Sequence, residues 1–153
     1  MPFTSRTEYG LRAMVLLAEQ LGEEVLSAAE ISRREQIPAK YLEQILGELK
    51  RAGLLLSTPG ARGGYRLARP AAAIPLADIT TALDGPVQLC RAESGAEAPI
   101  AQRLTPLWDR IDDAVSAVLH TTTLDQLAFA TQVSRPDRPS GPPPRRAGPM
   151  YHI

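Results

Sequence analysis

The segment from Pro38 to Gly53 constrains the fold most. It sets Leu42, Ile45, Leu46 and Leu49 at the i, i+3, i+4, i+7 spacing of one apolar helix face. Its flanks are equally marked. Upstream, Ser27-Ala-Ala-Glu30 is a capping box that opens a short helix, with Ile31 inward, running to about Gln36. Pro38 stands where a first-turn proline starts the next helix, and Gly53 closes it. Downstream, residues 54–58 and 65–69 read as short strands around Pro59-Gly-Ala-Arg-Gly-Gly64, a hairpin with a glycine-rich turn.

Two short helices, a tight turn and a basic hairpin follow one another in the order of a winged helix-turn-helix. The expected fold class is mainly α with a small β wing, a winged helix-turn-helix domain plus a long dimerisation helix. Ser5-Arg-Thr-Glu8 is a further capping box, opening a helix through Leu11, Met14, Val15, Leu17, Ala18 and Leu21. That helix is apolar around much of its circumference, hence central, and Gly22 ends it. Pro70 and Pro75 bracket a connector, and Leu76, Ile79 and Leu83 mark a short helix stopped by Asp84-Gly-Pro86. Residues 87–103 show no period and read as loop. Thr105-Pro106, cap then first-turn proline, starts the last long helix, which runs to about His120, and residues 122–128 form a short terminal helix. The expected division is 1–86 for the DNA-binding domain, 87–133 for loop and dimerisation helices, and 134–153 for a disordered Pro/Arg-rich tail.

A chain of 153 residues suffices for one domain with an appendage, and with 44% apolar but only 5% aromatic residues its core must be aliphatic. No apolar run approaches the length of a membrane span, and the N-terminus carries no signal-peptide pattern, so a cytoplasmic protein is expected. Seventeen basic and seventeen acidic residues give a net charge of zero, which at face value argues against nucleic acid. The zero is an average. Residues 1–70 hold ten basic and eight acidic residues, 71–133 three and eight, and 134–153 four and one. Within the first part, residues 38–70 hold six basic against two acidic side chains, a polyanion-seeking stretch followed at once by an acidic one.

That chemistry suits double-stranded DNA. The exposed side of the third helix offers Lys40, Tyr41, Glu43 and Gln44 near its N-terminus, where the positive end of the helix dipole meets phosphate. Gln44 can pair in bidentate fashion with adenine, and Glu43 can accept from a cytosine amino group. Arg62 sits at the wing tip between glycines and reaches an adjacent minor groove or phosphate. Taken alone, the helix reads better as a solvated charged face; helix, basic wing and spacing together reverse that and favour DNA. Gly47 fits either a close helix approach or simple packing tolerance. No nucleophile–base pair, metal triad or phosphate loop is present, so catalysis is not expected.

Tyr41-Leu-Glu-Gln44, Ala52-Gly-Leu54, Gly63-Gly-Tyr65, Arg69-Pro70, the Ile79 helix with its Asp84-Gly-Pro86 stop, Pro106-Leu-Trp108 and Thr122-Thr-Leu124 resemble the Rrf-two family of winged-helix transcription regulators in order and spacing, from Met1 to about Ala130. The resemblance implies a homodimer on an inverted-repeat operator, with base reading from Glu43 and Gln44. It also implies DNA contacts from Ser27, Ala28, Pro38, Lys40, Tyr41, Arg62, Gly63 and Gly64. Many members start the wing turn with arginine, whereas this chain has Pro59 there and Arg62 three residues later.

Iron–sulfur members of that family carry three cysteines before the long helix, and this chain has Cys90 alone, with no histidine nearby. One thiolate does not hold the usual cluster, so no cofactor and no metal are expected. Two readings of Cys90 stand, an ordinary packed thiol or a redox-sensing one. The resemblance is then to the cluster-free branch, which regulates cysteine metabolism, with an iron–sulfur or thiol redox sensor of the same fold as the alternative. Members of that branch end, like this chain, in a short apolar peptide, here Met150, Tyr151, His152 and Ile153, on a tether of 16 residues spanning about 20–25 Å as coil. A terminal isoleucine is also how serine acetyltransferases dock into O-acetylserine thiol-lyase, the cysteine synthase, so this enzyme is an implied partner. A frayed terminus is the competing reading. Leu104, Trp108, Ile111, Val115 and Val118 step by 4, 3, 4, 3 and form a heptad seam for dimerisation, although packing on its own domain would leave a similar stripe.

Overall fold

The computed structural model describes residues 3–20, 24–88 and 99–130. Helix α1 (Ser5–Ala18) lies at the centre and packs against most of the other helices. Its N-cap is Thr4, whose hydroxyl accepts from the Thr7 N–H, and not Ser5 as the capping-box spacing suggested. The cause is a distant one. The Asp84 carboxylate accepts from the Thr4 N–H at 3.2 Å, from the Thr4 hydroxyl at 2.8 Å, and from the hydroxyl of buried Thr7. At the other end the helix stops at Ala18, where the Gln20 amide donates back to Leu16 O at 2.8 Å. Gly22, the expected stop, lies outside the described residues.

Helix α2 (Ala28–Glu35) is capped as its sequence predicts, Ser27 Oγ accepting from the Glu30 N–H at 3.2 Å. Gln36 then takes a left-handed turn at φ 53°, and Ile37 drops into the core while its N–H donates to Ser32 O at 3.1 Å. Helix α3 (Ala39–Arg51) follows. Pro38 is its N-cap and not its first helical residue, since its carbonyl accepts from the Leu42 N–H at 2.9 Å, and its extended ψ of 126° lies outside the helix. The end of α3 is a Schellman motif. Gly53 at φ 75° donates to Lys50 O, Leu54 donates to Leu49 O, and the Leu54 side chain is buried against the helix it terminates.

Strands β1 (Leu55–Thr58) and β2 (Gly64–Leu67) pair antiparallel, with Leu55 opposite Leu67 and Thr58 opposite Gly64. Leu26, just before α2, adds a one-residue bridge on the outer edge of β2, exchanging bonds of 3.0 and 2.8 Å with Tyr65. A 3-10 turn at Ala71–Ala73 leads into α4 (Leu76–Asp84).

Helix α5 spans Pro99–Thr121, starting six residues before Thr105-Pro106. Pro106 therefore sits inside the helix and is not its first-turn proline, tolerated at the loss of one backbone donor because the helix continues on both sides of it. This shortens the loop expected over 87–103, of which 89–98 lie outside the described residues. Helix α6 (Leu124–Ala128) has a capping box of Thr123 with Gln126.

The core crosses residue 86. Leu119 and Leu124 join the cluster of Met14, Ile31, Ile45, Ile74 and Ile79, and the α5–α6 junction is stitched to the α4 entrance by Leu76 N–H to Thr122 O and Leu124 N–H to Ile74 O, both 2.9 Å. The largest fully buried side chains are Met, Ile and Leu throughout, as the low aromatic content requires. Gly10 lets α1 approach α4 closely, because a Cβ there would stand 2.2 Å from Leu83 Cδ1.

Burial raises the Asp84 pKa, but hydrogen bonds from Thr7 and Thr4 and the charge of Arg6 outweigh it and hold the carboxyl below its ordinary value of 3.8. A lowered carboxyl contributes stability above its unfolded pKa and loses it as pH falls through the folded one. Asp84→Asn is expected to cost about 1 kcal/mol at pH 7, modest because Asp84 is open to solvent. Urea titrations of both proteins at pH 7 and near pH 3 check this: the wild-type advantage shrinks in acid, and an advantage unchanged by acid contradicts the assignment.

Candidate nucleic-acid interface

One apolar stripe holds α3 in place, so its opposite side is delivered to the surface in a fixed orientation. Leu42, Ile45, Leu46 and Leu49 are fully buried, whereas Lys40, Glu43 and Gln44 are exposed side by side on the first turns. No side chain caps the N-terminus of α3, which leaves its first-turn N–H groups without a capping partner next to exposed Pro38 and Lys40. Gly47 has nothing within 4 Å of where a Cβ would stand, so no close neighbour demands it.

The other residues grouped here by sequence divide by what they touch. The Tyr41 ring is half-buried and stands edge-on to Tyr9 at 5.8 Å, itself approached by Arg12 at 5.7 Å. Ser27 is engaged in capping α2, and Ala28 packs against the core. Arg62 is exposed at the wing tip, in a turn closed by Gly63 N–H to Gly60 O at 2.9 Å.

Gly63 and Gly64 have a reason to be glycine inside the protein. A Cβ on Gly63 would meet Thr58 O at 2.0 Å, and one on Gly64 would meet Leu26 O at 2.4 Å. The first closes the hairpin turn. The second lets the segment before α2 press against the wing, and so fixes the angle between wing and helix-turn-helix.

Ion pairing sorts the cations further. Arg6 pairs with Glu48, Arg12 with Glu35 at 3.0 Å, Arg34 with Glu30, Arg51 with Glu48 at 3.7 Å, and Arg69 with Asp78 at 2.7 Å. Arg33, Lys40, Lys50, Arg62 and Arg66 make no ion pair among the described residues. The basic excess over 38–70 is thus carried by Lys40, Lys50, Arg62 and Arg66, with Glu43 as the only carboxylate of that stretch left outside an ion pair. Arg33 on α2 was not singled out from sequence. The available signal is that Glu30 reaches Arg34 one helical turn away, which leaves its neighbour uncompensated.

On α5 the expected heptad seam is divided. Leu104, Trp108 and Val118 are exposed, joined by Ile100 and Leu107, while Ile111 and Val115 are half-buried and Val115 packs against its own domain. Cys90 and the terminal Met150, Tyr151, His152 and Ile153 lie outside the described residues.

No group of three His, Cys, Asp or Glu side chains suited to a metal occurs among the described residues. The whole chain has one cysteine and two histidines. His120, the histidine among the described residues, has its Nδ1 at 2.8 Å from Ser116 O, within its own helix. An iron–sulfur cluster takes four strong ligands, and this donor set does not fit one. Among the described residues, no helix is long and apolar enough to cross a membrane.

Comparison with known proteins agrees with this architecture. The family model Rrf2, described as iron-dependent transcriptional regulator, matches residues 3–130. The HTH-type transcriptional regulator CymR of Bacillus subtilis is 39% identical over 131 residues, covering 86% of this chain and 92% of the relative. The HTH-type transcriptional regulator IscR of Cereibacter sphaeroides is 37% identical over 134 residues, covering 83% and 86%. The solved structure of CymR, the global cysteine regulator of B. subtilis, superposes with a TM-score of 0.74 at 38% identity, over 85% of this chain and 98% of that one. The winged helix, the sorted charges and these matches together show that the chain belongs to the Rrf2 family of DNA-binding transcriptional regulators, a non-enzymatic family.

Proposed function

We propose that this chain is a homodimeric repressor that reads an inverted-repeat DNA operator with α3 and the wing, without an iron–sulfur cluster. The carrying observation is the placement of cations without ion pairs. Arg33 on α2, Lys40 beside the exposed Glu43 and Gln44 on α3, and Arg62 at the wing tip make none among the described residues, while Arg6, Arg12, Arg34, Arg51 and Arg69 are paired within the protein. In this reading Gln44 and Glu43 read base edges, and Lys40, Arg33 and Arg62 meet phosphates, aided by the uncapped start of α3. Ser27, Ala28, Pro38 and Tyr41 position these groups and border the backbone, and Gly63 and Gly64 set the wing. The apolar residues on the outer side of α5, Leu104, Trp108 and Val118, with half-buried Ile111 and Val115 beside them, supply the dimer contact that brings two readers to half-sites ~34–36 Å apart.

The regulated process in this reading is cysteine and sulfur supply, in the cytoplasm. Its support is the likeness to the B. subtilis global cysteine regulator together with the donor set, which lacks the thiolates a cluster needs. The likeness to IscR and the iron-dependent description of the family favour the second reading, an iron–sulfur or thiol sensor, in which Cys90 is the reactive group. A protein purified anaerobically without colour or iron removes its cluster form. The terminal Ile153, with Met150, Tyr151 and His152, is assigned to cysteine synthase: its carboxylate takes the place of the substrate's carboxylate in that enzyme.

Two measurements test these assignments. In salt titrations against an operator recovered by selection from random DNA, Gln44→Ala is expected to cost about 1–3 kcal/mol and relax the preference at one base pair. Arg62→Ala should weaken all sequences alike and lower the salt slope by about 1. Equal losses on specific and random DNA for Gln44→Ala would remove it from base reading. Separately, deleting Ile153 should abolish co-elution with cysteine synthase and leave operator affinity unchanged; equal co-elution of full-length and shortened chains contradicts the docking.

A further inference from the structure

The β ladder leaves one place where backbone polar groups face a cleft. Ala68 N–H donates to Leu54 O, and Tyr65 exchanges both its bonds with Leu26 on the outer edge. In an antiparallel pair the bonding direction alternates residue by residue, so Leu67, like Tyr65, turns its N–H and C=O away from β1. The residue that would continue the Leu26 bridge opposite Leu67 is Glu24, and no bond joins the two. Among the described residues, the outer edge of β2 is therefore open for one residue. That opening borders a cleft of about 530 Å³ between the end of α1, β2, the 3-10 turn and α6, a volume in the usual range for small-molecule sites.

The lining is zwitterionic around an apolar floor. Glu24 and Asp125 bring carboxylates, and among the described residues Asp125 has committed one oxygen, to the Thr123 hydroxyl. Arg66 brings a guanidinium without an ion pair among the described residues, whereas Arg69, also on the rim, is held by Asp78. Leu17 and the exposed ring of Phe129 supply the apolar surface. A ligand that matches this needs an anionic acceptor for the Leu67 N–H and Arg66. Close by it needs a cationic donor for the Leu67 C=O and the two carboxylates, and it needs a side chain for the floor.

We propose that this cleft binds a free α-amino acid as its zwitterion. The carboxylate accepts from Leu67 N–H and Arg66, the ammonium donates to Leu67 C=O with Glu24 and Asp125 behind it, and the side chain lies toward Leu17 and Phe129. The occupant bridges the base of the wing to α6, the helix that follows the dimerisation helix. Binding is then linked to the geometry of the DNA-reading surface, and DNA and ligand alter each other's affinity by the same factor.

Isothermal titration calorimetry of the full-length protein with the twenty L-amino acids at millimolar concentration tests the site, and involves no DNA, so its outcome is independent of the operator reading. The expected result is saturable heat from at least one amino acid, one per chain, and none from its N-acetyl or carboxamide derivative. Asp125→Asn keeps the acceptor for Thr123, and Glu24→Gln is isosteric. Both should keep the wild-type melting temperature and ligand-free DNA affinity, and at least one should weaken the amino acid by roughly tenfold or more, the loss of one charge-assisted hydrogen bond. No saturable heat from any amino acid overturns the proposal. So does binding that survives either blocking group, or that is unaffected by both substitutions.

Discussion

Everything this molecule presents to the outside depends on how α3 is gripped. Four aliphatic side chains on one stripe have no exposure at all, and they interlock with α1, α2 and α4 at a point where Gly10 allows the helices to approach closely. A close-packed aliphatic contact of this kind does not slide, because any change of azimuth opens voids that cost more than the helix gains. The direction of Glu43 and Gln44 is therefore a property of the core. The Schellman closure at Gly53 and the bridge from Leu26 to Tyr65 extend the same rigidity to the wing.

Charge is distributed on the same logic. Arg6 and Arg12 of α1 are neutralised by Glu48 of α3 and Glu35 of α2, which join those helices to one another, and Arg34 by Glu30 within α2, while Arg33, Lys40 and Arg62 have no such partner among the described residues. A neutral chain can present a basic face because its acids are spent on internal pairs there and concentrated elsewhere along the chain. Net charge is a poor guide to polyanion binding when the two signs are sorted in space.

Local rules made much of this legible. The stripe on α3, the Ser27 cap, the hairpin with its glycines and the stop at Asp84 follow from spacing and turn chemistry alone, and they sufficed to identify the winged helix. Where the sequence misled, a distant residue or a competing local option decided. Thr4 displaces Ser5 as a cap because Asp84, eighty residues away, holds it. Thr105-Pro106 satisfies the cap-and-proline rule, yet the helix runs through it from Pro99, and the chain before Thr105 carries no local sign of that. At the interface, the exposed positions of α3 could be read from periodicity, but which cations are free could not. Pairing of Arg6 with Glu48, or Arg12 with Glu35, joins helices whose relative placement is a tertiary fact. The same holds for Gly64, whose need for a missing Cβ comes from Leu26 pressing on the wing from another segment.

The stitching of the α5–α6 junction to the α4 entrance has a mechanical consequence. Helix α5 has 23 residues, so it is about 35 Å long, yet its buried contact with the domain is at Leu119 in the last turn, and residues 102–110 are exposed. Among the described residues, its anchorage in the domain lies toward its C-terminal end, at Val115 and Leu119. A tilt of about 5° at that anchorage carries the opposite end through roughly 3 Å, given the rise per residue of an α-helix. Adjustments of less than an ångström around Ile74, Leu76 and Thr122 are thereby converted into displacements large enough to re-register a neighbouring helix.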